Sequence, residues 1–140
     1  MKAIPLKSKD GQMVQCEPSE ATHVRLHLPG PTSQLTLPVI IKGTRAGTGW
    51  WTWNGDCEKP TLKPSVLLTS GHFAKEFDAS KDTCWCKYNK EHPNETPVFH
   101  CFRCHTWIND GIAQFLDDCT HAFRGQSVEL LEVELPVATA

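Results

Sequence analysis

Four cysteines in the second half of the chain form two close pairs. Cys84 and Cys86 make a Cys-x-Cys pair, and Cys101 and Cys104 make a Cys-x-x-Cys pair after a polar loop of fourteen residues. Zinc binds about four ligands in a tetrahedron, and thiolates are among its common ligands in proteins. The spacing therefore predicts one zinc ion held by all four sulfurs, in a zinc-ribbon-like hairpin or knuckle over residues 84–104.

Other interpretations of these cysteines stay open. The thiols could be ordinary buried side chains, could form disulfides, or could bind an iron–sulfur cluster. A single site could also take His100 or His121 in place of one cysteine. An odd count of seven cysteines excludes complete intramolecular disulfide pairing.

A second group of possible ligands follows the first. Asp110-Gly111 is a hairpin turn signal, so residues near position 105 should approach those near positions 116–121. Asp117 and Asp118 would lie close by and orient the ligands. A possible second metal site thus contains His72, His105, Cys119 and His121.

An aromatic segment precedes a tight turn in the middle of the chain. In the run Trp50-Trp51-Thr52-Trp53, alternate side chains share a face, and Asn54-Gly55 ends the strand. The rings could fill the core, or they could form a platform for a base, a sugar or a peptide. The possible binding surface consists of Trp51, Trp53, Asn54 and Asp56.

Alternating apolar residues and frequent turn signals predict a mostly β, small α+β fold. We expect a compact antiparallel sheet or sandwich, with short helices such as one turn around Phe73 to Phe77. Strands are predicted over Thr22–Leu28, Gln34–Ile41, Trp50–Trp53, Ser65–Ser70 and Ser127–Leu135. The first two should pair as a hairpin across the turn Pro29-Gly30-Pro31; a second hairpin is predicted over His105–Leu116 and a loose tail at 136–140.

The bulk composition limits the classes of function. The length of 140 residues predicts a single domain over 1–140. Lys and Arg total 14 against 16 Asp and Glu, so the formal net charge of -2 does not support nucleic-acid binding. Since no apolar run approaches the roughly 18 residues that span a bilayer and no secretory signal is evident, we expect a cytoplasmic protein without membrane contact.

Several segments together resemble an uncharacterised metal-binding domain family that is common in phage and prophage genomes. The similarity covers about Trp50 to Leu130, and Phe123-Arg124 departs from the expected Leu-Ala. Similar domains also appear in bacterial operons with ubiquitin-like proteins and their conjugating enzymes, which implies a peptidase or an adaptor. The segments are Trp51–Asp56, Glu58–Thr61, Lys63–Ser65, Cys84–Cys86, Cys101–His105, Asp110–Gly111, Gln114–Leu116, Asp118–Ala122 and Gly125–Val128.

Two functions compete at this level. The first is a non-enzymatic zinc module, encoded by a phage and acting in the host cytoplasm, that binds a host or phage protein; a closed four-thiolate site suits this function. The second is a zinc-dependent, peptidase-like hydrolase at the second metal site, with Asp118 or Glu76 as the general base. We expect the first, because a His-Glu-x-x-His helix or a comparable hydrolase motif is absent from the sequence.

Overall fold

The computed structural model describes residues 1–30, 34–43, 45 and 47–133, and in this part the protein is mostly β, as predicted. The predicted tail at 136–140 lies outside the described residues. No helix of the described part is long and apolar enough to cross a membrane. The strands are β1 (Ala3–Lys9), β2 (Gln12–Gln15), β3 (His23–His27), β4 (Gln34–Ile40), β5 (Trp51–Trp53), β6 (Leu62–Ser70), β7 (Phe102–Asn109), β8 (Ile112–Phe115) and β9 (Ser127–Glu129).

These strands form one sheet in the order β2-β1-β3-β4-β5-β6-β7-β8-β9. Neighbouring strands are antiparallel except β4 and β5, which are parallel. An isolated bridge joins His27 of β3 to Leu131, beyond β9. The sheet therefore curls until the segment after its last strand contacts β3, and the curled sheet encloses a core.

The core follows from the alternation of side chains along the strands. One cluster of buried residues draws on β1 and on every strand from β3 to β8. It includes Leu26 of β3, Trp53 of β5, and Val66 of β6, all nearly inaccessible to water. The central strands β6 and β7 thus have one face buried in the core and the other turned away from it.

Both hairpins predicted from the sequence are confirmed. Strands β3 and β4 pair antiparallel, with Leu26 opposite Leu35. Strands β7 and β8 are joined at Asp110-Gly111, where both residues have positive φ angles, 50° and 76°. A left-handed backbone at two successive positions is the signature of the type I′ turn that Asp-Gly favours.

Other elements differ from the prediction. Strands β1 and β2 were not expected, because Ala3–Lys9 mixes lysine, serine and proline with its apolar residues. The helical turn expected at Phe73–Phe77 is a short 3₁₀ turn at Gly71–Phe73. Strand β9, Ser127–Glu129, is shorter than the closing strand predicted over Ser127–Leu135, and the last two residues of the predicted strand lie outside the described part.

The expected zinc-ribbon hairpin over residues 84–104 is replaced by a helix and a loop. Helix α1 spans Trp85–Glu91, where a polar loop was expected. The Sγ of Cys84 accepts a hydrogen bond from the backbone N–H of Lys87 at 3.4 Å and so caps the first turn. A side-chain acceptor at this position satisfies a free helical N–H, which explains why the chain is not extended here.

We expect Leu26→Ala to lower the free energy of unfolding by about 2–5 kcal/mol, because it leaves a cavity in the curled sheet. Leu67→Ala is the matched control: Leu26 is 0% exposed and Leu67 is 53% exposed. The control should cost less than about 1 kcal/mol. Urea denaturation of both variants measures the difference, and equal losses would show that Leu26 is not a core residue.

Candidate active site

Strands β6 and β7 bring a serine and a histidine together on the face turned away from the core. Val66 pairs with Thr106, and both side chains are buried. Their neighbours Ser65 and His105 therefore point to the opposite face, since successive side chains alternate. The register shifts between Leu62 and Val66, immediately around Ser65.

Three side chains form a continuous hydrogen-bonded chain on this face. The Oγ of Ser65 lies 2.9 Å from Nε2 of His105. The other ring nitrogen of His105, Nδ1, lies 3.1 Å from Oδ2 of Asp118. The His105 side chain is 26% exposed and that of Asp118 is 42% exposed, so the group is open to solvent. A hydroxyl, an imidazole and a carboxylate in this order have the arrangement of a nucleophile, its base and the group that orients the base.

Asp118 reaches His105 because the segment after β8 runs beside β7. The Leu116 N–H donates to the His105 carbonyl at 2.9 Å, and the Thr120 N–H donates to the Arg103 carbonyl at 2.9 Å. The Sγ of Cys119 lies 3.2 Å from both the backbone nitrogen and the carbonyl oxygen of His105. These contacts tie residues 116–120 to the strand that carries the histidine.

The backbone of Ser65 has its own support. The indole N–H of Trp51 donates to the Ser65 carbonyl at 3.2 Å. Trp51 is half-buried and packs against the core. Trp51, one residue of the predicted binding surface, thus supports the backbone of Ser65 from the core side.

The other residues of the predicted binding surface, Trp53, Asn54 and Asp56, make contacts within the fold. Trp53 is 2% exposed and belongs to the core, so its ring cannot serve as a platform. The Asn54 side chain accepts from the N–H groups of Asp56 and Thr61. The Asp56 carboxylate accepts from the Glu58 and Lys59 N–H groups, and these bonds hold the pKa of Asp56 below its usual range. Asn54 and Asp56 therefore fix a turn.

The cysteines and histidines with metal-ligand chemistry fall into two groups. In each group the potential ligand atoms all lie within 4.8 Å of one another. The first group, called here the outer group, combines donors from the 3₁₀ turn after β6, the start of α1 and the residue before β7. Its members are His72, Cys84, Cys86 and Cys101. The second, called the inner group, contains Cys104, Cys119 and His121.

This partition differs from the one expected from the sequence. Cys104 lies in the inner group, apart from the other three cysteines of the predicted zinc site. Cys101 and Cys104 are three residues apart on nearly extended backbone, so their side chains point to opposite faces. The predicted second site is also divided: His72 lies in the outer group and His105 contacts Ser65 and Asp118, which leaves Cys119 and His121 together.

The two groups differ in electrostatics. Burial raises the pKa of the Cys104 thiol to about 12, and the neighbouring Cys119 adds to the effect. Burial also acts to raise the pKa of Cys101, but hydrogen bonds from the backbone and side chains of His72 and Cys86 outweigh it and bring that pKa to about 6. The thiolate, the form that binds metal, therefore forms more readily at Cys101 than at Cys104.

Comparison with protein families identifies one match. Residues 2–116 match the family model described as BubE, bacterial ubiquitination-like system serine protease. The chain belongs to this family. The matched segment contains Ser65 and His105 and ends two residues before Asp118. Comparison with curated proteins and with solved structures found no match.

The match corrects the expected function. A family of serine proteases contradicts both the non-enzymatic zinc module and the expectation that the protein is not an enzyme. The peptidase implied by the resemblance to ubiquitin-like operons agrees with the family in reaction class, whereas the phage origin stays a prediction. The alternative of zinc-dependent hydrolysis had the correct kind of reaction and the wrong kind of nucleophile, since the family description names serine.

Ser65 is the member of the hydrogen-bonded chain that sequence reasoning did not single out. It was visible only as part of the Lys63-Pro64-Ser65 segment, without a surrounding nucleophile motif. His105 and Asp118 were noticed, but as a metal ligand and as a base for zinc-bound water. Glu76, the other predicted base, is exposed.

We expect Gly71→Ala to disrupt the outer group. Gly71 has a φ of +65°, and a Cβ there would collide with Sγ of Cys101. Gly47→Ala is the control, because Gly47 has a φ of +84° and its Cβ would meet no described atom within 4 Å. Both variants place alanine in a left-handed backbone conformation, which costs about 1–2 kcal/mol. Gly71→Ala should lose further stability, measured by thermal unfolding, and should bind less metal, measured by metal analysis. Equal behaviour of the two variants would contradict this account of the group.

Proposed function

We propose that the protein is a serine protease in which Ser65 is the nucleophile, His105 is the general base and Asp118 orients the base. The observation that carries the proposal is the pair of hydrogen bonds at 2.9 Å and 3.1 Å through the two nitrogens of one imidazole. Family membership supports the same reaction class independently of the geometry.

Asp118 determines which nitrogen of His105 is free to act. A carboxylate can only accept hydrogen bonds, so it holds the proton on Nδ1 and leaves Nε2 unprotonated. Nε2 then accepts the hydroxyl proton of Ser65. As Oγ attacks the carbonyl carbon of a peptide bond, that proton moves to Nε2 and the carbonyl oxygen becomes an oxyanion.

The same histidine completes the reaction. Protonated His105 donates its Nε2 proton to the leaving amine, the C–N bond breaks, and an acyl ester remains on Ser65. A water molecule then gives a proton to Nε2 and attacks the ester carbonyl. The acid is released, and the proton returns to Ser65.

The surroundings of the triad suit an extended polypeptide substrate. Leu67 is the cross-strand partner of His105, and Trp107 is two residues beyond His105 on the same face. Both are exposed, which places apolar surface beside the reacting atoms. We propose that a segment of a protein belonging to a bacterial ubiquitination-like system lies across these side chains and presents its peptide bond to Ser65.

We further propose that the outer group holds one Zn²⁺ ion. Three thiolates and one imidazole provide the four soft and borderline donors that zinc prefers. The group gathers the 3₁₀ turn after β6, two cysteines at the start of α1 and the residue before β7. An ion there would tie helix α1 and the loop that follows it to β6 and β7, the two strands that carry Ser65 and His105, without taking part in the chemistry.

Removal of the nucleophile should abolish peptide hydrolysis. We expect Ser65→Ala to lower kcat by up to about 10⁶-fold and Asp118→Asn by about 10⁴-fold, because the amide no longer selects the tautomer. Cleavage of a quenched fluorescent peptide library measures turnover, and a fluorophosphonate probe followed by peptide mapping locates the modified residue.

Matched controls come from neighbouring residues of the same type. Ser70 lies on the same strand, is exposed, and makes no side-chain capping bond. Asp117 is exposed and directly precedes Asp118. Ser70→Ala and Asp117→Asn should retain activity. Probe labelling that persisted in Ser65→Ala, or that mapped to another serine, would refute the assignment.

Zinc removal tests the outer group. We expect Cys101→Ser to release one equivalent of zinc per chain and to lower the melting temperature, since a four-ligand site contributes folding energy. Cys16→Ser, a thiol outside both groups, is the control. Elemental analysis of the purified proteins counts the zinc. Full metal content in Cys101→Ser would exclude this residue as a ligand.

A further inference from the structure

The inner group contains an unsatisfied polar atom that protease chemistry does not use. Within the described part of the chain, Nε2 of His121 is buried and has no hydrogen-bond partner. The other ring nitrogen, Nδ1, accepts from the Phe123 N–H at 3.3 Å. An acceptor engaged at Nδ1 implies that the proton is on Nε2, where nothing receives it. A buried ring nitrogen without a partner costs free energy whether or not it carries the proton, so a further partner is expected.

Two buried thiols lie next to this imidazole. Cys104 is 1% exposed and Cys119 is 3% exposed, and their Sγ atoms lie within 4.8 Å of each other and of a ring nitrogen of His121. Aromatic rings adjoin the imidazole: the Phe115 centroid is 4.7 Å away and the Phe102 centroid is 6.0 Å away. The surroundings are therefore dry and apolar, where thiolates would be costly unless a cation compensates their charge.

We propose that Cys104, Cys119 and His121 bind a second Zn²⁺ ion. This ion would hold the segment that carries His105 against the segment that carries Asp118, and this link is called the clamp. Two thiolates and an imidazole are zinc ligands by type. An ion on Nε2 takes the lone pair of that nitrogen, so the ring proton moves to Nδ1, the 3.3 Å hydrogen bond from the Phe123 N–H is lost, and the thiol protons are released. Because Cys104 and Cys119 are buried, a polypeptide substrate cannot reach the ion, whose role is structural; a water molecule would complete its tetrahedron.

The clamp follows from sequence adjacency. Cys104 directly precedes His105, and Cys119 directly follows Asp118. His105 and Asp118, the two residues that support Ser65, are thus each joined by a peptide bond to a ligand of the same ion. One coordination centre joins the two segments next to the 3.1 Å bond between His105 and Asp118. Cys104, Cys119 and His121 are positioning residues in this account.

The contacts of Cys119 fit a metal-bound thiolate. Its Sγ lies 3.2 Å from the His105 backbone nitrogen, and a zinc-bound thiolate continues to accept from that N–H. The proton that the thiol donates to the His105 carbonyl is released when zinc binds. That carbonyl keeps the Leu116 N–H at 2.9 Å as its donor.

Metal binding can be tested without any assumption about protease activity. We expect two zinc ions per chain in the unchanged protein and in Cys16→Ser. A Cys84→Ser/Cys86→Ser variant should keep one, and its Co²⁺ form should show thiolate-to-cobalt charge transfer and tetrahedral ligand-field bands. His121→Gln, a milder change than loss of a thiol, should remove the inner ion alone. A folded Cys84→Ser/Cys86→Ser variant without metal would overturn the site.

The clamp rests on the proposed protease function and needs a separate readout. The Nδ1 proton of His105, shared with Asp118, should give a low-field ¹H resonance in the zinc-loaded protein. His121→Gln should broaden or remove this resonance and slow fluorophosphonate labelling of Ser65 by about 10–100-fold, the usual effect of disturbing groups around a site. Cys16→Ser should change neither.

The two proposals fail in different ways. If His121→Gln loses the inner zinc but keeps the resonance and the labelling rate, the clamp is wrong and the protease assignment stands. If the zinc-loaded unchanged protein binds two ions but Ser65 never reacts with the probe, the protease assignment fails, the clamp fails with it, and the inner metal site stands.

Discussion

The pairing of β6 with β7 is the constraint on which the site depends. Its register sets Val66 against Thr106 in the core, and it leaves Ser65, Leu67 and His105 on the opposite face. Strand side chains alternate with a period of two, so a slip by one residue would bury the hydroxyl and the imidazole and expose core side chains. Burial of apolar side chains on one face of the sheet thus determines that Ser65 and His105 lie together on the other face.

The same alternation divides the ligands. Along β7 and the residue before it, odd positions face outward and even positions face the core, so Cys101 joins the outer group and Cys104 the inner group. His105 lies between them in sequence and belongs to neither. The segment of residues 116–120, hydrogen-bonded to β7, supplies Asp118 to the outer face and Cys119 to the inner group. The proposed catalytic residues and the potential metal ligands therefore interleave along two adjacent segments.

Local features of the sequence were enough to predict the mostly β class, the two hairpins and the presence of clustered metal donors, because strand periodicity and an Asp-Gly turn act over a few residues. The proposed triad could not be found in this way. Ser65, His105 and Asp118 come from separate elements, and only the β6–β7 register, a non-local property, brings them together. The division of Cys101 from Cys104 was accessible in principle, since a strand through both positions separates them. The function was predicted wrongly because histidine and aspartate next to cysteines were interpreted only as metal chemistry.

The location of the triad on a sheet surface, flanked by exposed Leu67 and Trp107, has a consequence for selectivity. A peptide bond inside a folded domain is held away from any outside surface by its own hydrogen bonds and packing. Only chain that can detach from its fold, such as a linker or a loop tip, can reach Ser65. The conformational freedom of the target, rather than the depth of a specificity pocket, would then decide which bonds are cut.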